Sequence, residues 1–275
     1  MRPTVTDLAP ERPAAVRGGP LVSLKAISKT FSNGTVALRD LSLDIGERQF
    51  VSLLGPSGCG KSTVLRIIAG LGEPTSGTVE WPSASHDAAG RPDREIGFVF
   101  QEPTLMPWAT AFNNVWLPLR LRGITKSAAR DRVMEALQMV GLEKFAGSYP
   151  RELSGGMKMR VSIARALITR PKLLLMDEPF AALDEITRFK LNDDLLHLWE
   201  TFGWTVVFVT HSVFESVYLS NRIVVMAARP GRVFADLAID APYPRDESFR
   251  MSESYNDYCR QASNALHAAM EASAP

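Results

Sequence analysis

The sequence predicts an α/β fold with a parallel sheet, an antiparallel β edge and a helical insertion. Three observations lead to this prediction. Short apolar segments broken by turn residues fill 21–54, as in consecutive strands. A glycine-rich loop at 55–63 then joins an apolar strand to a helix. Further on, the apolar runs "PKLLLMDEP" and "TVVFVTHS" flank a helical pattern, which is typical of a β-α-β unit with buried parallel strands.

The opening segments "LVSLKAISKTF", "TVALRDLSLDI" and "ERQFVSLLG" are rich in Val, Leu, Ile and Phe, and "SNG" and "IG" interrupt them. This pattern predicts strands joined by turns. The segment "KSTVLRIIAGL" follows the glycine-rich loop and carries its apolar residues at helical spacings. A strand therefore leads into a loop and then into a helix.

The helical insertion is expected at about 103–168. Within it, "AARDRVMEALQMVGLEKF" places Val133, Leu137 and Val140 at spacings of four and three with charges between them, which predicts an amphipathic helix. The later segment "ITRFKLNDDLLHLWETFG" is also helical in pattern and closes at Gly203.

The remaining boundaries follow from composition. The Pro- and Arg-rich residues 1–20 have no apolar signal region and are expected to form a disordered leader. Residues 21–240 form the predicted domain, and "RIVVMAARPGRVFADLAI" predicts a hairpin around Pro230 and Gly231. The tail, 241–275, carries little recognisable pattern.

Composition limits the function classes. The 275 residues are 45% hydrophobic, which is enough for a substantial core. A formal net charge of +1 gives no electrostatic reason to expect a nucleic-acid partner. Cys59 and Cys259 lie far apart in sequence, which fits a reducing compartment better than a disulfide framework. No apolar run reaches the roughly 18–20 residues of a spanning helix, so any membrane crossing is expected of other chains.

The segment "GPSGCGKST" matches G-x-x-x-x-G-K-[ST] between an apolar strand and a helix, the context that a nucleotide-binding phosphate loop requires. Its backbone N–H groups and helix N-terminus favour phosphate, Lys61 is expected to reach the β- and γ-phosphates, and Ser62 to bind Mg²⁺. Cys59 is interpreted as a small filler. The predicted ATP-binding residues of this loop are Gly55, Pro56, Ser57, Gly58, Cys59, Gly60, Lys61, Ser62 and Thr63.

A pair of carboxylates follows the buried strand in "LLLMDEP". Asp177 lies at the carboxyl end of this strand, where open α/β sheets place their ligands, and is predicted to hold Mg²⁺ through its water shell. Glu178 is the candidate general base for the water that attacks the γ-phosphate. The alternative for Glu178 is an ordinary solvated side chain at the end of a strand.

With these motifs the chain resembles the nucleotide-binding subunit of an ATP-binding cassette (ABC) transporter. The resemblance runs from about Leu21 to Val233 and rests on "GPSGCGKST", Gln101, "LSGGM", "LLLMDEPFAALD" and His211 in the family's order. It implies a P-loop NTPase core, hydrolysis of ATP with Mg²⁺, and a head-to-tail homodimer that encloses two ATP molecules. It also implies separate permease subunits, an external substrate-binding protein, and a peripheral location on the cytoplasmic face of a bacterial inner membrane.

The segment "LSGGMKMR" predicts a second phosphate-binding surface. Ser154 can cap the helix that follows, and Gly155 and Gly156 allow its N–H groups to approach an anion closely. The resemblance implies that this surface faces the γ-phosphate held by the other copy. Met157 departs from the family, in which Gln is commoner here, so a polar side-chain contact from this position is not expected.

Four further residues receive roles only through the resemblance. Gln101 would touch Mg²⁺ or the lytic water, although a solvated loop residue is the simpler interpretation. His211 would contact the γ-phosphate and help to hold Glu178 and water, or be merely structural. Asp184 would contact the opposite phosphate loop, or cap a helix. Phe31 would stack on adenine, or be an ordinary hydrophobic residue at a strand end.

The aromatic run "PTLMPWATAFNNVWLPLRL" has two interpretations. Trp108, Phe112 and Trp116 are expected mostly in the core of the helical insertion, while some of them line a groove for a permease helix, as in the family. The phrase "FQEPTLMPW" resembles the importer subfamily for nitrate, sulfonates and taurine, which implies a small anion as cargo.

Other functions agree less well with the sequence or stay open beside this one. An ABC transporter ATPase for another small substrate stays open. A soluble ABC ATPase acting on nucleic acid or ribosomes typically carries two cassettes, a long coiled-coil insertion or zinc-binding cysteines, which this sequence lacks. A P-loop small-molecule kinase would leave "LSGGM" and His211 unexplained.

Overall fold

The computed structural model describes residues 19–82, 84 and 94–273. The predicted leader therefore lies almost wholly outside the described residues. The described strands are β1 Val22–Thr30, β2 Val36–Ile45, β3 Phe50–Leu54, β4 Ser76–Glu80, β5 Ile96–Val99, β6 Leu173–Asp177, β7 Thr205–Thr210, β8 Arg222–Ala227 and β9 Arg232–Ala238. The described α-helices are α1 Lys61–Ile68, α2 Ala111–Leu121, α3 Lys126–Met139, α4 Gly155–Leu167, α5 Glu185–Phe202, α6 Val213–Leu219, α7 Glu247–Arg250 and α8 Glu253–Glu271.

These elements form two compact units. The first contains the described residues up to 82 together with 211–242 and 247–273, and the second contains the described residues of 84–210 together with 243–246. The predicted α/β class is confirmed, because parallel strands alternate with helices and an antiparallel edge is present.

The first unit carries the antiparallel edge. Strand β1 pairs with β2 on one side and with β4 on the other, both antiparallel. Their inward side chains, such as Leu24, Ile27 and Leu41, are almost fully buried. In the same unit β3 runs parallel to β8, and β8 and β9 form the antiparallel hairpin predicted around Pro230 and Gly231.

The second unit contains the parallel strands β5, β6 and β7, with β6 between the other two. All residues of β6 and β7 are buried, which explains why both read as unbroken apolar runs. The helix α5 connects these two strands, as the β-α-β pattern predicts. It ends at Gly203, whose φ of 64° places it in the left-handed conformation common after helices.

Helices α2, α3 and α4 lie in the second unit, within the stretch for which the sequence predicts a helical insertion. The predicted stripe of α3 is correct, because Val133 and Leu137 are fully buried and Val140 is nearly so. Of the aromatic residues expected mostly in the core, Phe112 and Trp116 are only partly buried. The expectation is wrong for Trp108, which is 77% exposed. It precedes α2 in an irregular segment, so no helical face directs its ring inward.

The tail contains a helix that the sequence analysis missed. Helix α8 packs against β8 and α6, with Tyr255, Cys259, Ala262 and Ala269 buried at helical spacings. The hydroxyl of Tyr255 donates to the carbonyl of Phe214 at 3.1 Å. Burial raises the pKa of the Cys259 thiol to about 11, so this cysteine is a packing residue and not a reactive thiolate.

Candidate functional site

The glycine-rich loop lies in the first unit between β3 and α1. Gly60 precedes the first helical residue and has a φ of 96°, a conformation that glycine adopts without strain. The carbonyl of Gly60 accepts the first helical hydrogen bond from the N–H of Val64 at 2.9 Å. Helix α1 therefore begins where the loop ends. The first N–H groups of a helix point out of its N-terminus, and a glycine-rich loop followed by a helix start is the geometry that binds phosphate.

Lys61 organises the loop around its ammonium group. The Nζ atom donates to the carbonyl oxygens of Gly55 at 2.8 Å and Pro56 at 3.1 Å, and the side chain is only 4% exposed. Cys59 is fully buried inside the same loop, and its N–H donates to the Pro56 carbonyl at 3.3 Å. The carbonyl oxygens of Gly55 and Pro56 therefore hold the Lys61 ammonium against the start of the loop.

Two glycines allow the close packing of this loop. A Cβ at Gly55 would lie 2.8 Å from both the Cys59 sulfur and the Met226 carbonyl oxygen. A Cβ at Gly231 would lie 2.2 Å from the carbonyl oxygen of Cys59 and 2.8 Å from that of Ala37. The sequence pattern indicates only a hairpin turn at Gly231, whereas in the structure the backbone of the loop at Cys59 packs directly against this glycine.

Phe31 follows β1 in the first unit and is 45% exposed. Its backbone N–H donates to the Thr35 carbonyl at 2.9 Å, which closes the turn. The ammonium of Lys29 lies 5.6 Å from the centroid of the ring. The ring is therefore not packed into the core, and one of its faces lies beneath the Lys29 ammonium.

Asp177, Glu178 and Gln101 lie at the same edge of the parallel strands in the second unit. Asp177 is the last residue of β6, Glu178 follows it, and Gln101 follows β5 by two residues. The register pairs Val99 with Met176 at the ends of these strands. The three polar side chains therefore emerge at the carboxyl ends of neighbouring parallel strands, where α/β proteins bind ligands.

The backbone of Glu178 has an unusual conformation. Its φ is 45°, in the left-handed region that non-glycine residues rarely occupy. Its N–H donates to the carbonyl of Val209 on the neighbouring strand β7 at 3.1 Å, and its own carbonyl accepts from the N–H of Ala181. Such strain persists where surrounding contacts fix the backbone, and it is common at functional sites.

Ser154 caps α4, as predicted from "LSGGM". Its hydroxyl accepts a hydrogen bond from the N–H of Met157 at 3.3 Å. Ser154 and Gly155 are exposed, whereas Gly156 is buried and a Cβ there would lie 2.7 Å from the methyl carbon of Thr187 on α5. Gly155 thus leaves the N-terminus of α4 exposed to solvent. Gly156 has no side chain that would collide with Thr187, which permits α4 to pack against α5.

Asp184 caps α5 by accepting from the N–H of Thr187 at 2.9 Å. This backbone hydrogen bond, with a further one from the Thr187 side chain, holds the pKa of the Asp184 carboxyl below its usual value. Asp184 therefore caps a helix, which was the alternative to its predicted contact with the phosphate loop of a second copy. Its carboxylate is exposed to solvent.

The structure distributes the predicted site residues over both units. The first unit holds Phe31, the phosphate loop and His211. His211 is exposed and follows the last residue of β7, and the next residue, Ser212, caps α6 by accepting from the N–H of Glu215. The second unit holds Gln101, Ser154, Gly155, Gly156, Asp177, Glu178 and Asp184.

Comparison with known proteins identifies the family. A family model described as ABC transporter matches residues 38–181, which include the phosphate loop and both carboxylates. An uncharacterized ABC transporter ATP-binding protein of Methanocaldococcus jannaschii is 47% identical over 244 residues, covering 89% of each chain. The chain belongs to the ABC transporter family. It is an ABC ATPase, and ATP is its substrate.

Two further relatives bear on the function of this ABC ATPase. The aliphatic sulfonates import ATP-binding protein of Bacillus cereus is 43% identical over 239 residues, covering 86% of this chain and 92% of the relative. A dimeric ATP-binding cassette in a post-hydrolysis state, bound to ADP and phosphate, is 39% identical with a TM-score of 0.70. The match covers 80% of this chain and the whole of that cassette. Among the described residues, no helix combines the length and apolar character needed to span a bilayer.

Proposed function

We propose that this ABC ATPase powers an importer for a small anion of the sulfonate, nitrate or taurine class. The observation that carries the proposal is the 43% identity to an aliphatic sulfonate import ATP-binding protein across 92% of that protein's length. In this proposal separate permease subunits cross the membrane and an external binding protein delivers the cargo. The ATPase is bound peripherally at the cytoplasmic face of a bacterial inner membrane.

In this proposal, different residues of the chain bind the nucleotide and activate the attacking water. The phosphate loop, Gly55 to Thr63, binds the nucleotide phosphates through backbone N–H groups and the Lys61 ammonium. Phe31 stacks on the adenine. Glu178 orients and deprotonates the attacking water, while His211 and Gln101 hold the water and the γ-phosphate in position.

We propose magnesium as the metal ion from the chemistry of the predicted ligands, which are Ser62 in the first unit and Gln101 and Asp177 in the second. Ser62 and Gln101 supply neutral oxygen ligands, and Asp177 is a carboxylate only 8% exposed at the end of β6. Oxygen donors with a carboxylate are the set that Mg²⁺ prefers. When bound, the ion would neutralise charge on the phosphates, and these three residues would hold it.

The helix start at Ser154 supports a composite site. Ser154, Gly155 and the N-terminus of α4 present a second anion-binding surface, and Asp184 caps the neighbouring helix α5. We assign this surface to the γ-phosphate bound by a second copy, so that two copies enclose two ATP molecules with two-fold symmetry. The dimeric post-hydrolysis cassette among the structural relatives supports this arrangement.

The exposed Trp108 supports docking to a permease. Its ring is 77% exposed, and it lies seven residues after Gln101 in the sequence. Large exposed aromatic residues commonly mark protein interfaces. ATP would then act on the permease through its preference for the closed dimer.

Growth of a deletion strain tests the cargo. The strain should fail to grow with an alkanesulfonate as the sole sulfur source and should recover with the wild-type chain but not with Lys61→Ala. Normal growth on alkanesulfonates, with a defect on nitrate or taurine instead, would reassign the cargo within the class. Normal growth on all three, together with ATPase stimulation by DNA or ribosomes, would favour the soluble non-transport ATPase.

A further inference from the structure

A cavity of about 320 Å³ lies in the second unit, and none of the residues that line it is assigned to ATP. Helix α3, the end of α4 and the turn between α5 and β7 form its walls. Its floor is apolar, since Ala136, Leu167 and Ile168 are each at most 5% exposed. This volume falls within the range of small-molecule sites in proteins.

Two arginines give the cavity an excess of positive charge. Arg132 and Arg170 both line it, and Glu135 is the carboxylate among its lining residues. Glu135 lies 3.9 Å from Arg170, and both side chains are more than half exposed, so their ion pair is weak. The Nε atom of Arg132 is buried and has no hydrogen-bond partner within the described parts of the chain.

The environment of Arg132 is unfavourable to its charge. Burial lowers the pKa of its guanidinium, and the neighbouring charges of Arg170 and Arg122 lower it further. A buried donor without a partner and a cluster of like charges both cost free energy. An anion in the cavity would reduce both costs, because it would accept from Arg132 and offset the repulsion.

An aromatic rim completes the cavity. The rings of Phe202 and Trp204 stack with their centroids 4.8 Å apart and their planes 9° from parallel. The indole N–H of Trp199 donates to the carbonyl of Trp204 at 2.7 Å, which fixes the turn that carries the pair. The rim and the floor thus present flat apolar surface beside the two guanidinium groups.

We propose that this cavity binds a small organic anion with one sulfonate or carboxylate group on an apolar stem. The anionic group is held by Arg132 and Arg170, and the stem lies on Leu167 and Ile168 beneath the aromatic rim. An inorganic anion would use the charge but leave the apolar floor in contact with water, so it is the poorer occupant. The proposal stands on the cavity alone and does not require the proposed cargo.

Isothermal titration calorimetry on the full chain tests this site. The probes are hexane-1-sulfonate, hexanoate, sodium sulfate and hexan-1-ol, each added without nucleotide. We expect saturable binding of the two organic anions and at least tenfold weaker binding of sulfate and of the alcohol. Because a hydrogen bond to a charged group contributes about 1.5–3 kcal/mol, Arg132→Gln should weaken hexane-1-sulfonate binding by about 10- to 100-fold.

Matched variants separate this cavity from other basic surface. Arg130→Gln removes the same charge from the same helix, but Arg130 lies outside this cavity, in the lining of another one with Phe112 and Lys126. It should leave the affinity unchanged. Glu135→Gln removes the competing carboxylate and should strengthen binding about two- to fivefold, the range of an exposed ion pair. This variant keeps the test decisive if Arg132→Gln unfolds.

Three outcomes would overturn the proposal. The first is no saturable heat from either organic anion at millimolar concentration. The second is equal binding of sulfate and hexane-1-sulfonate, which would remove the role of the apolar floor. The third is a loss of affinity in Arg130→Gln together with unchanged affinity in Arg132→Gln and Glu135→Gln, which would place the ligand elsewhere.

Discussion

Replacing Gly231 by alanine tests whether the hairpin supports the phosphate loop. The added Cβ would lie 2.2 Å from the carbonyl oxygen of Cys59 and 2.8 Å from that of Ala37. Even close carbon–oxygen contacts in proteins are about 3.3–3.6 Å. Both obstructing atoms belong to backbone, so no rotation of a side chain can relieve the contact, and the loop or the hairpin must shift by about 1 Å.

The cost follows from this overlap. Small-to-large changes in well-packed regions cost about 1–3 kcal/mol of unfolding free energy. For a chain of this size that loss corresponds to a fall in Tm of about 2–12 °C. Two hydrogen bonds are at risk as well, because Gly231 donates to Ala37 at 2.9 Å and accepts from Arg39 at 3.0 Å. Displacement of Cys59 should also weaken nucleotide binding, since its carbonyl is part of the loop backbone.

Thermal unfolding with and without an ATP analogue measures both effects. The matched control is Gly147→Ala, because nothing lies within 4 Å of the Cβ that it adds. This control should unfold at or slightly above the wild-type temperature, and its gain of stability on adding the analogue should equal that of the wild type. If Gly231→Ala matched the control in both measurements, the hairpin would not support the loop.

Other substitutions test the remaining assignments. Glu178→Gln should lower phosphate release about 10²- to 10⁴-fold while ATP titration stays normal, and near-normal turnover would remove Glu178 as the base. Glu178→Gly should be equally inactive but unfold at a higher temperature than Glu178→Gln, because glycine tolerates positive φ. Ser154→Arg should bind ATP yet elute as a monomer with ATP in size-exclusion chromatography, and a persisting dimer would contradict the composite site. Asp184→Ala should lower Tm at neutral pH. The pKa of the Asp184 carboxyl is lowered in the folded chain, so its charge stabilises the fold above the usual pKa of 3.8 and this contribution is lost as the pH falls through the folded pKa. The difference in Tm from the wild type should therefore become smaller in acid.

Where local pattern and tertiary environment agree, the sequence predicts the structure well. Strands β6 and β7 are buried on both faces, and therefore every residue between the first and last positions of each strand is apolar. The cap at Ser154 and the end of α5 at Gly203 depend only on neighbouring residues, so local chemistry is sufficient to place them.

The missed features depend on distant contacts. Helix α8 buries small side chains, Ala262 and Ala269, against its unit, and alanine at a buried position looks the same in sequence as alanine on a surface. Gly231 was interpreted as a turn residue from its neighbours in the sequence. The atom that an added Cβ would approach most closely is the carbonyl oxygen of Cys59, which is remote along the chain, so the sequence pattern does not reveal this contact. Trp108 was expected, with Phe112 and Trp116, mostly in the core or else in a groove, because a single exposed aromatic residue has no periodicity that distinguishes the two positions.

The conformation of Glu178 connects stability with the proposed chemistry. A non-glycine residue held in a sparsely populated region costs about 1–3 kcal/mol, and the fold sustains this cost where Glu178 bonds to Val209 on β7. A turn with ordinary backbone angles would direct the carboxylate elsewhere, whereas glycine would remove the strain together with the base. If Glu178 is the base, as we propose, this fixed backbone would hold its carboxylate next to Asp177 at the end of β6, and the cost in stability would be the cost of that position.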